Sequence, residues 1–600
     1  MRRGVALLVS VFAVLVAAPA GSAAPPFAPC GSGGLQCATL NVPLDYSGGT
    51  PGQVPLYVEM LPATGTPRGV MMLLAGGPGQ ASAETFNLGA QASYWRSYFP
   101  GYTIVAYDDR GTGKSGPLAC PTARTVTQCG TAIPARTFYT THDHGEDIES
   151  VRTALGVDKI ALFGVSYGTK HAVAYALAHP SHVERLLLDS EVLPDRSPVD
   201  TSSIRTIPTS INKICTNNVC QGIPAGIGDR FATLANALQA HPVDASVHFA
   251  PTLAPYTEHI DGMEMLSLAY ESDLGSAMSS ELPAAVDAAL AGSMLPLERL
   301  IFLDVLSTSS EKDINFVLLL TTNCGDGPFP WQPADTPDVR TAAMNAAVAA
   351  LPAGSSGALG DWAFQSFPAW GCIDWPAPSG GALLGPGPLP NVPVLVLSGD
   401  RDIRTPTSGA IEIARKFPKG RVLLVPGAGH SVLNHSTCAK NAVLSWLKGG
   451  TPPAVCTRFS LYVPALGRWR ASVAATPAPA KVPGLTGRTL NALLQTIHDA
   501  EDNWLMTRIS QEPTTGLVGG LLTPDPKGSI RLQAYSSVRG LAATGTVVLK
   551  MQPWGDPVVP LTAVSGSIKV TGSGSAHGTV RLSGNSLTGR LNGRPVTATF

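Results

Sequence analysis

The pentapeptide Gly164-Val165-Ser166-Tyr167-Gly168 is a G-x-S-x-G string. In a chain with 63 glycines the string alone is weak, and its setting gives it weight. An apolar run at 159–163 leads into it and a stretch with helical spacing, 169–178, leads out. A strand–turn–helix of this kind exposes a serine hydroxyl above a sheet. Its glycines leave the turn free of side chains, and the Tyr167 backbone N–H faces a developing oxyanion. A serine becomes a nucleophile only with a base and a group that orients the base. Two later loops supply these types in the order Ser, Asp, His. Asp402 lies in Ser398-Gly399-Asp400-Arg401-Asp402 after the apolar run 392–397, and His430 closes Pro426-Gly427-Ala428-Gly429-His430 after 421–425. Both loops follow strand-like runs, where α/β sheets place their sites. His430 would take the Ser166 proton and Asp402 would fix the imidazole tautomer. Asp400 and Asp189 are alternative orienters, and His435 is an alternative base. The loop Ala75-Gly76-Gly77-Pro78-Gly79 follows the run 70–74 and suits a second oxyanion donor, Gly77 in preference to Gly76.

Other chemistries find less support. Asp108-Asp109-Arg110-Gly111-Thr112-Gly113-Lys114-Ser115 imitates a phosphate loop, but Asp108 stands where the first glycine is required. No C-x2-C or H-x3-H spacing marks a metal site. No cysteine sits in a strand–turn–helix setting. The expectation is therefore serine chemistry with no cofactor and no metal.

The elements that must position these residues follow from periodicity. Short apolar runs at 70–74, 103–107, 159–163, 183–188, 392–397 and 421–425 read as strands of a buried parallel sheet. Helical spacing at 140–155 and 169–178 lies between some of them, which is the alternation of a doubly wound α/β sheet. Nearly 200 residues then interrupt it, with helix-like stretches at 229–240, 262–269 and 338–350. A structureless loop of that length is implausible, so an inserted, mainly helical cap is expected. After Cys456 an Ala/Pro stretch at 474–484 reads as linker, 486–507 as an amphipathic helix, and 529–600 as short alternating strands with turns such as Asn592-Gly593. The expected division is a doubly wound α/β core in residues 24–193 and 392–456, a cap in 194–391, a linker in 457–485, and a helix plus antiparallel β module in 486–600. The module's strand pattern suits domain docking and cell-wall contact alike.

Composition narrows the partners and the compartment. The 41 basic and 42 acidic residues give a net charge of −1, and no Lys/Arg stripe is present, which argues against nucleic acid. A 44% hydrophobic content is enough for large cores and argues against disorder. Met1-Arg2-Arg3, an apolar run at 5–18 and Gly21-Ser22-Ala23 form the three parts of a secretory signal peptide, residues 1–23. The run is too short to span a bilayer, so a secreted, extracellular protein is expected. All ten cysteines follow it, and an even count in an exported chain reads as disulfides. Order along the chain suggests Cys30–Cys37, Cys120–Cys129, Cys215–Cys220, Cys324–Cys372 and Cys438–Cys456.

These motifs together resemble the secreted actinobacterial tripeptidyl aminopeptidases, α/β-hydrolases related to prolyl iminopeptidases. The resemblance rests on residues 37–46, Gly76-Gly77-Pro78-Gly79, residues 109–115, Gly164 to Thr169, Asp402-Ile403-Arg404-Thr405-Pro406, Gly429-His430 and the Cys438/Cys456 pair. It covers about residues 30–456. It implies a triad of Ser166, Asp402 and His430, a cap restricting access to free amino ends of short peptides, and an acyl-enzyme mechanism. It departs at Asp189-Ser190-Glu191, where relatives carry Asp-Gly. Recognition of a substrate ammonium asks for carboxylates, and Glu191 and Asp326 are the candidates; an esterase or other ester or amide hydrolase on the same machinery is one alternative, and a non-catalytic exported surface-binding protein is another.

Overall fold

The computed structural model describes residues 27–599 apart from 217–218, 309–313, 377–382, 385–388, 458–464, 508–509, 526–527, 551–561 and 585. The expected signal peptide and part of the expected linker lie outside the described residues. Nine strands form one sheet in the order β1-β2-β3-β5-β4-β6-β7-β10-β11. They are β1 (Ala28–Pro29), β2 (Gln36–Pro43), β3 (Gln53–Leu61), β4 (Gly69–Leu74), β5 (Tyr102–Tyr107), β6 (Ile160–Val165), β7 (Val183–Asp189), β10 (Pro393–Gly399) and β11 (Lys419–Val425). The last six run parallel, and β1 to β3 add an antiparallel edge.

The parallel strands read as unbroken apolar runs because both faces are covered. Met71, Leu73, Phe163, Leu395 and Leu397 point to one face, against the helices Ala92–Tyr98 and Thr437–Leu447. Met72, Leu74, Leu162, Leu188 and Val396 point to the other, against the helices Thr141–Ala154 and Tyr167–Ala178. Alternate residues of β4 thus serve opposite cores, as the two-residue period of a strand requires.

The insert between β7 and β10 builds a helical cap with its own core. Its first helix, Ser202–Ile214, buries Ile204, Ile207, Ile211 and Ile214, the spacing of one helical face. The cap also contains a hairpin, β8 (Val243–Val247) with β9 (Tyr256–Ile260), which periodicity did not reveal.

The C-terminal part is a second, eight-stranded antiparallel sheet in sequential order. Its strands are β12 (Thr514–Gly516), β13 (Gly519–Asp525), β14 (Ser529–Ser536), β15 (Ala542–Lys550), β16 (Thr562–Thr571), β17 (Gly578–Ser583), β18 (Ser586–Leu591) and β19 (Arg594–Thr599). The helix Gly484–Thr507 lays Leu490, Leu493, Ile497, Ala500 and Trp504 on it.

This module docks on the cap. Arg299, buried in a cap helix, bonds Glu281 of the cap at 2.9 Å and Asp499 of the module helix at 2.6 Å. Asp499 also accepts the Tyr535 hydroxyl at 2.6 Å. The connecting segment is stitched to both sides: Leu466 N–H donates to the Ser280 carbonyl, the Arg468 guanidinium to Asp287, and Trp469 Nε1 to the Ser537 carbonyl.

The ten cysteines form the five disulfides Cys30–Cys37, Cys120–Cys129, Cys215–Cys220, Cys324–Cys372 and Cys438–Cys456. No helix among the described residues is long and apolar enough to cross a membrane.

Removing Arg299 strands two buried carboxylates without their cation, which costs about 3–5 kcal/mol in comparable pairs. Arg299→Met is expected to lower the denaturant midpoint of unfolding followed by intrinsic tryptophan fluorescence. An unchanged midpoint would show that this cluster does not hold module and cap together.

Candidate active site

The turn after β6 is governed by a close approach. A Cβ on Gly164 would meet the Gly168 carbonyl oxygen at 2.4 Å, and one on Gly168 would meet the Leu74 oxygen at 2.2 Å. Strand, turn and helix pack against β4 only because both positions are glycine. Ser166 between them has φ +55° and ψ −124°, a conformation that non-glycine residues rarely hold. It is held by its N–H donating to the Asp189 carbonyl at 2.9 Å and by its own carbonyl accepting the Thr169 N–H and hydroxyl at 2.9 and 2.6 Å.

Tyr167 opens the following helix, so its N–H has no partner within the helix. The loop after β4 approaches closely, since a Cβ on Gly76 would lie 3.0 Å from Ser166 Cβ. Gly76 N–H donates to Gln80 Oε1 at 3.0 Å and is committed. Gly77, at φ +106°, lines the Ser166 pocket.

His430 and Asp402 meet at the ends of β11 and β10. His430 Nδ1 lies 3.1 and 3.2 Å from the two Asp402 oxygens. Thr405 completes the carboxylate's shell, its N–H donating to Oδ1 at 2.8 Å and its hydroxyl to Oδ2 at 2.6 Å. Burial pushes the Asp402 carboxyl up, but His430 and the Thr405 bonds outweigh it and hold it below the ordinary value. Burial alone would depress the His430 imidazole; Asp402, and then Asp273, outweigh it and raise it.

The alternatives from sequence have other partners. The Asp189 carboxylate accepts the Val432 and Leu433 N–H groups at 2.7 and 2.8 Å, bracing the turn after His430. Asp400 accepts the Gly427 N–H at 2.8 Å. His435 is pushed down to about 4 by burial and does not line the Ser166 pocket.

Sequence reasoning missed Asp273, which reaches both loops from the cap. Its carbonyl accepts the His430 N–H at 2.8 Å. Its carboxylate accepts Ile403 N–H at 2.8 Å, Arg404 N–H at 3.1 Å and Arg404 Nε at 3.1 Å. No local pattern could mark it, because it lies 130 residues or more before those partners.

Ser166, Gly77 and His430 open into one cavity of about 590 Å3, roofed by the cap, with Tyr270, Phe329 and Phe367 among its walls. The two proposed ammonium partners stand differently from expectation. Asp326 lines the cavity, but its carboxylate already takes Lys170 Nζ at 2.7 Å, Thr141 N–H at 2.9 Å and the Thr141 hydroxyl at 2.5 Å. Glu191 lines a neighbouring cleft of about 240 Å3 instead. It is buried, and desolvation pushes it up to about 8.

Two family models match this chain: the alpha/beta hydrolase fold over residues 69–204, and the TAP-like protein family over residues 361–458. With the mostly parallel sheet and the strand–turn–helix at Ser166, the fold is decided. The chain has the α/β-hydrolase fold. The hydrolase is 25% identical over 476 residues to the tripeptidyl aminopeptidase of Streptomyces coelicolor, covering 70% of this chain and 82% of that one. It is 24% identical over 472 residues to the serine protease Hip1 of Mycobacterium tuberculosis, covering 70% and 86%. A shorter stretch of 128 residues is 35% identical to the proline iminopeptidase of Neisseria gonorrhoeae, covering 21% and 34%. Among solved structures, the proline iminopeptidase of Mycobacterium smegmatis aligns with a TM-score of 0.31 at 16% identity, covering 69% of this chain and 98% of that one. These relatives make the hydrolase a serine peptidase or hydrolase of the α/β-hydrolase fold.

Two expected outcomes follow from the geometry. A base that must be neutral to act loses activity as pH falls through its pKa, so the acid limb of kcat/KM is expected above the ordinary imidazole value of about 6.5. Asp402→Asn removes a negative charge beside His430, and the limb should move to lower pH. Asp273→Ala releases both loops, and kcat is expected to fall about 10²-fold, the scale of a misplaced catalytic group. Steady-state kinetics over pH test both.

Proposed function

We propose that the hydrolase is an exported exo-aminopeptidase that releases tripeptides or other short units from peptides with free N-termini, through an acyl-enzyme on Ser166. The observation that carries this reading is the meeting of Ser166 and His430 in one cap-roofed cavity, with Asp402 on the imidazole. Similarity to tripeptidyl aminopeptidases along 70% of the chain supports it. Because Nδ1 faces Asp402, Nε2 is the nitrogen left to take the Ser166 proton. Ser166 Oγ attacks the scissile carbonyl carbon as that proton moves to His430. The Tyr167 and Gly77 N–H groups receive the oxyanion. The C–N bond then breaks as His430 returns the proton to the leaving amine, and water repeats the sequence to free the acyl group and Ser166. No step calls on a metal or cofactor. Export is supported by the N-terminal signal pattern and by five disulfides.

One observation favours a second reading. Asp326 is already paired with Lys170, and Asp200, the other acid among the described lining residues, with Arg196. With no unpaired carboxylate among the described residues that line it, the cavity rewards a substrate ammonium less, which suits an esterase.

Both readings meet in one assay of the purified enzyme and Ser166→Ala on tripeptidyl and aminoacyl chromogens with free and blocked N-termini, and on simple esters. The proposal expects turnover of free-amine tripeptidyl substrates, abolished in the variant. Turnover of esters alone would support the second reading, and equal turnover by the variant would overturn both.

A further inference from the structure

Beneath the turn that carries Ser166 lies a cluster that the proposed chemistry does not use. Asp109 follows β5, His144 belongs to the helix Thr141–Ala154, and His171 lies in the helix Tyr167–Ala178. All three are at most 1% exposed. One donor atom from each lies within 4.8 Å of the other two. His144 Nδ1 is 2.7 Å from His171 Nε2, and His171 Nδ1 is 3.6 Å from Asp109 Oδ2. Both Asp109 oxygens, His144 Nε2 and His171 Nδ1 have no hydrogen-bond partner among the described residues.

Hydrogen bonding alone does not satisfy this group. The two imidazoles share one proton between Nδ1 and Nε2. If His144 donates it, the His144 Nε2 lone pair has no donor to accept from, and the His171 N–H stops short of Asp109. If His171 donates it, a lone pair on its Nδ1 faces the Asp109 carboxylate. Either tautomer leaves buried polar atoms unpaired, at about 1–3 kcal/mol each.

The charges around Asp109 point the same way. Arg110, its chain neighbour, is spent on Asp147, with Nε and Nη2 bonds of 2.7 and 2.6 Å, and on the carbonyls of Pro43, Leu44 and Phe138. Asp108 takes the Ala83 and Lys114 N–H groups, both at 2.9 Å. Asp109 is thus a buried carboxylate next to two others, with the Tyr107 hydroxyl and the His171 imidazole beside it and no Lys or Arg in contact among the described residues. Proteins rarely carry such a group unless it is paired or bound to a metal.

We propose that Asp109, His144 and His171 supply three of the ligands of a bound divalent cation of borderline softness, Zn2+ foremost. Two imidazole nitrogens and one carboxylate are a donor set that suits zinc, and the cysteines are committed to disulfides. The facing nitrogens, His144 Nδ1 and His171 Nε2, are 2.7 Å apart, closer than the roughly 3.3 Å of two nitrogens on one tetrahedral zinc, so the rings turn as well as separate to bring one nitrogen each and an Asp109 oxygen onto the ion. The ion cross-links the end of β5, the helix Thr141–Ala154 and the helix behind Ser166. The His171 ring packs edge-to-face on Tyr167 at 4.3 Å between centroids, so the site braces the residue whose N–H is proposed to receive the oxyanion. The three ligands are 35 and 27 residues apart along the chain, which is why no ligand spacing appears in the sequence.

The test is metal content, independent of any activity. The full-length enzyme is expressed with Zn2+ in the medium, purified without chelator and dialysed, then analysed by elemental mass spectrometry beside His144→Leu/His171→Leu. About one Zn2+ per wild-type chain is expected, falling at least tenfold in the variant. Wild type with less than about a tenth of an ion per chain overturns the site. So does a variant that keeps the metal, which marks an adventitious ion only. If the variant fails to fold, zinc-edge X-ray absorption of the wild type decides: two imidazole shells and one oxygen near 2.0–2.1 Å support the site, and a hydrated, imidazole-free shell overturns it.

Discussion

The contact between the Ser166 turn and β4 admits no side chain, and the site depends on it. With Gly168 closed on the Leu74 carbonyl and Gly164 on Gly168, the turn cannot relax toward ordinary backbone. Ser166 is therefore held at φ +55°, the Tyr167 N–H emerges beside it, and the Gly76-Gly77 loop is drawn into contact. The strain is local, and the two large cores on either face of the sheet sustain it. The same packing places His171 and Lys170 on opposite duties. His171 faces inward to the buried cluster with His144, and Lys170 faces the cavity and pairs with Asp326.

The cap is more than a roof over this arrangement. Asp273 ends one of its helices and bonds both the segment after Asp402 and the N–H of His430. A Cβ on Gly429 would lie 2.0 Å from the Asp273 carbonyl, so the loops that carry Asp402 and His430 are fitted to the cap. Arg401 adds bonds to the Ser272 carbonyl and the Ser279 hydroxyl. The C-terminal module in turn grips the cap through Arg299. Buried polar contacts thus tie the module to the cap at one place and the cap to the His430 loop at another.

Sequence made legible what is local. Ser166, Asp402 and His430 stood out because each follows an apolar run at the end of a buried strand, and the G-x-S-x-G spacing states its own backbone requirement. The parallel strands were readable because both their faces are buried. Strands β1 to β3 were not read, since edge strands with one wet face carry a thinner apolar signal; β3 has the burial of a half-exposed strand. The β8–β9 hairpin was hidden for the same reason. Asp273, Thr405 and the Asp109–His144–His171 cluster act through partners far along the chain or through bonds that composition cannot show. Glu191 and Asp326 were selected for charge alone, and charge does not reveal that Asp326 is already bonded or that Glu191 faces another cleft.

The central claim is that this fold turns one serine into a nucleophile. A fluorophosphonate reacts with such a hydroxyl, its phosphorus bonding to Oγ as fluoride leaves. Peptide mass spectrometry of the treated enzyme should find one adduct, on the peptide carrying Ser166, and none when His430 is replaced by alanine. An unmodified Ser166, or an adduct on another residue, would contradict the account.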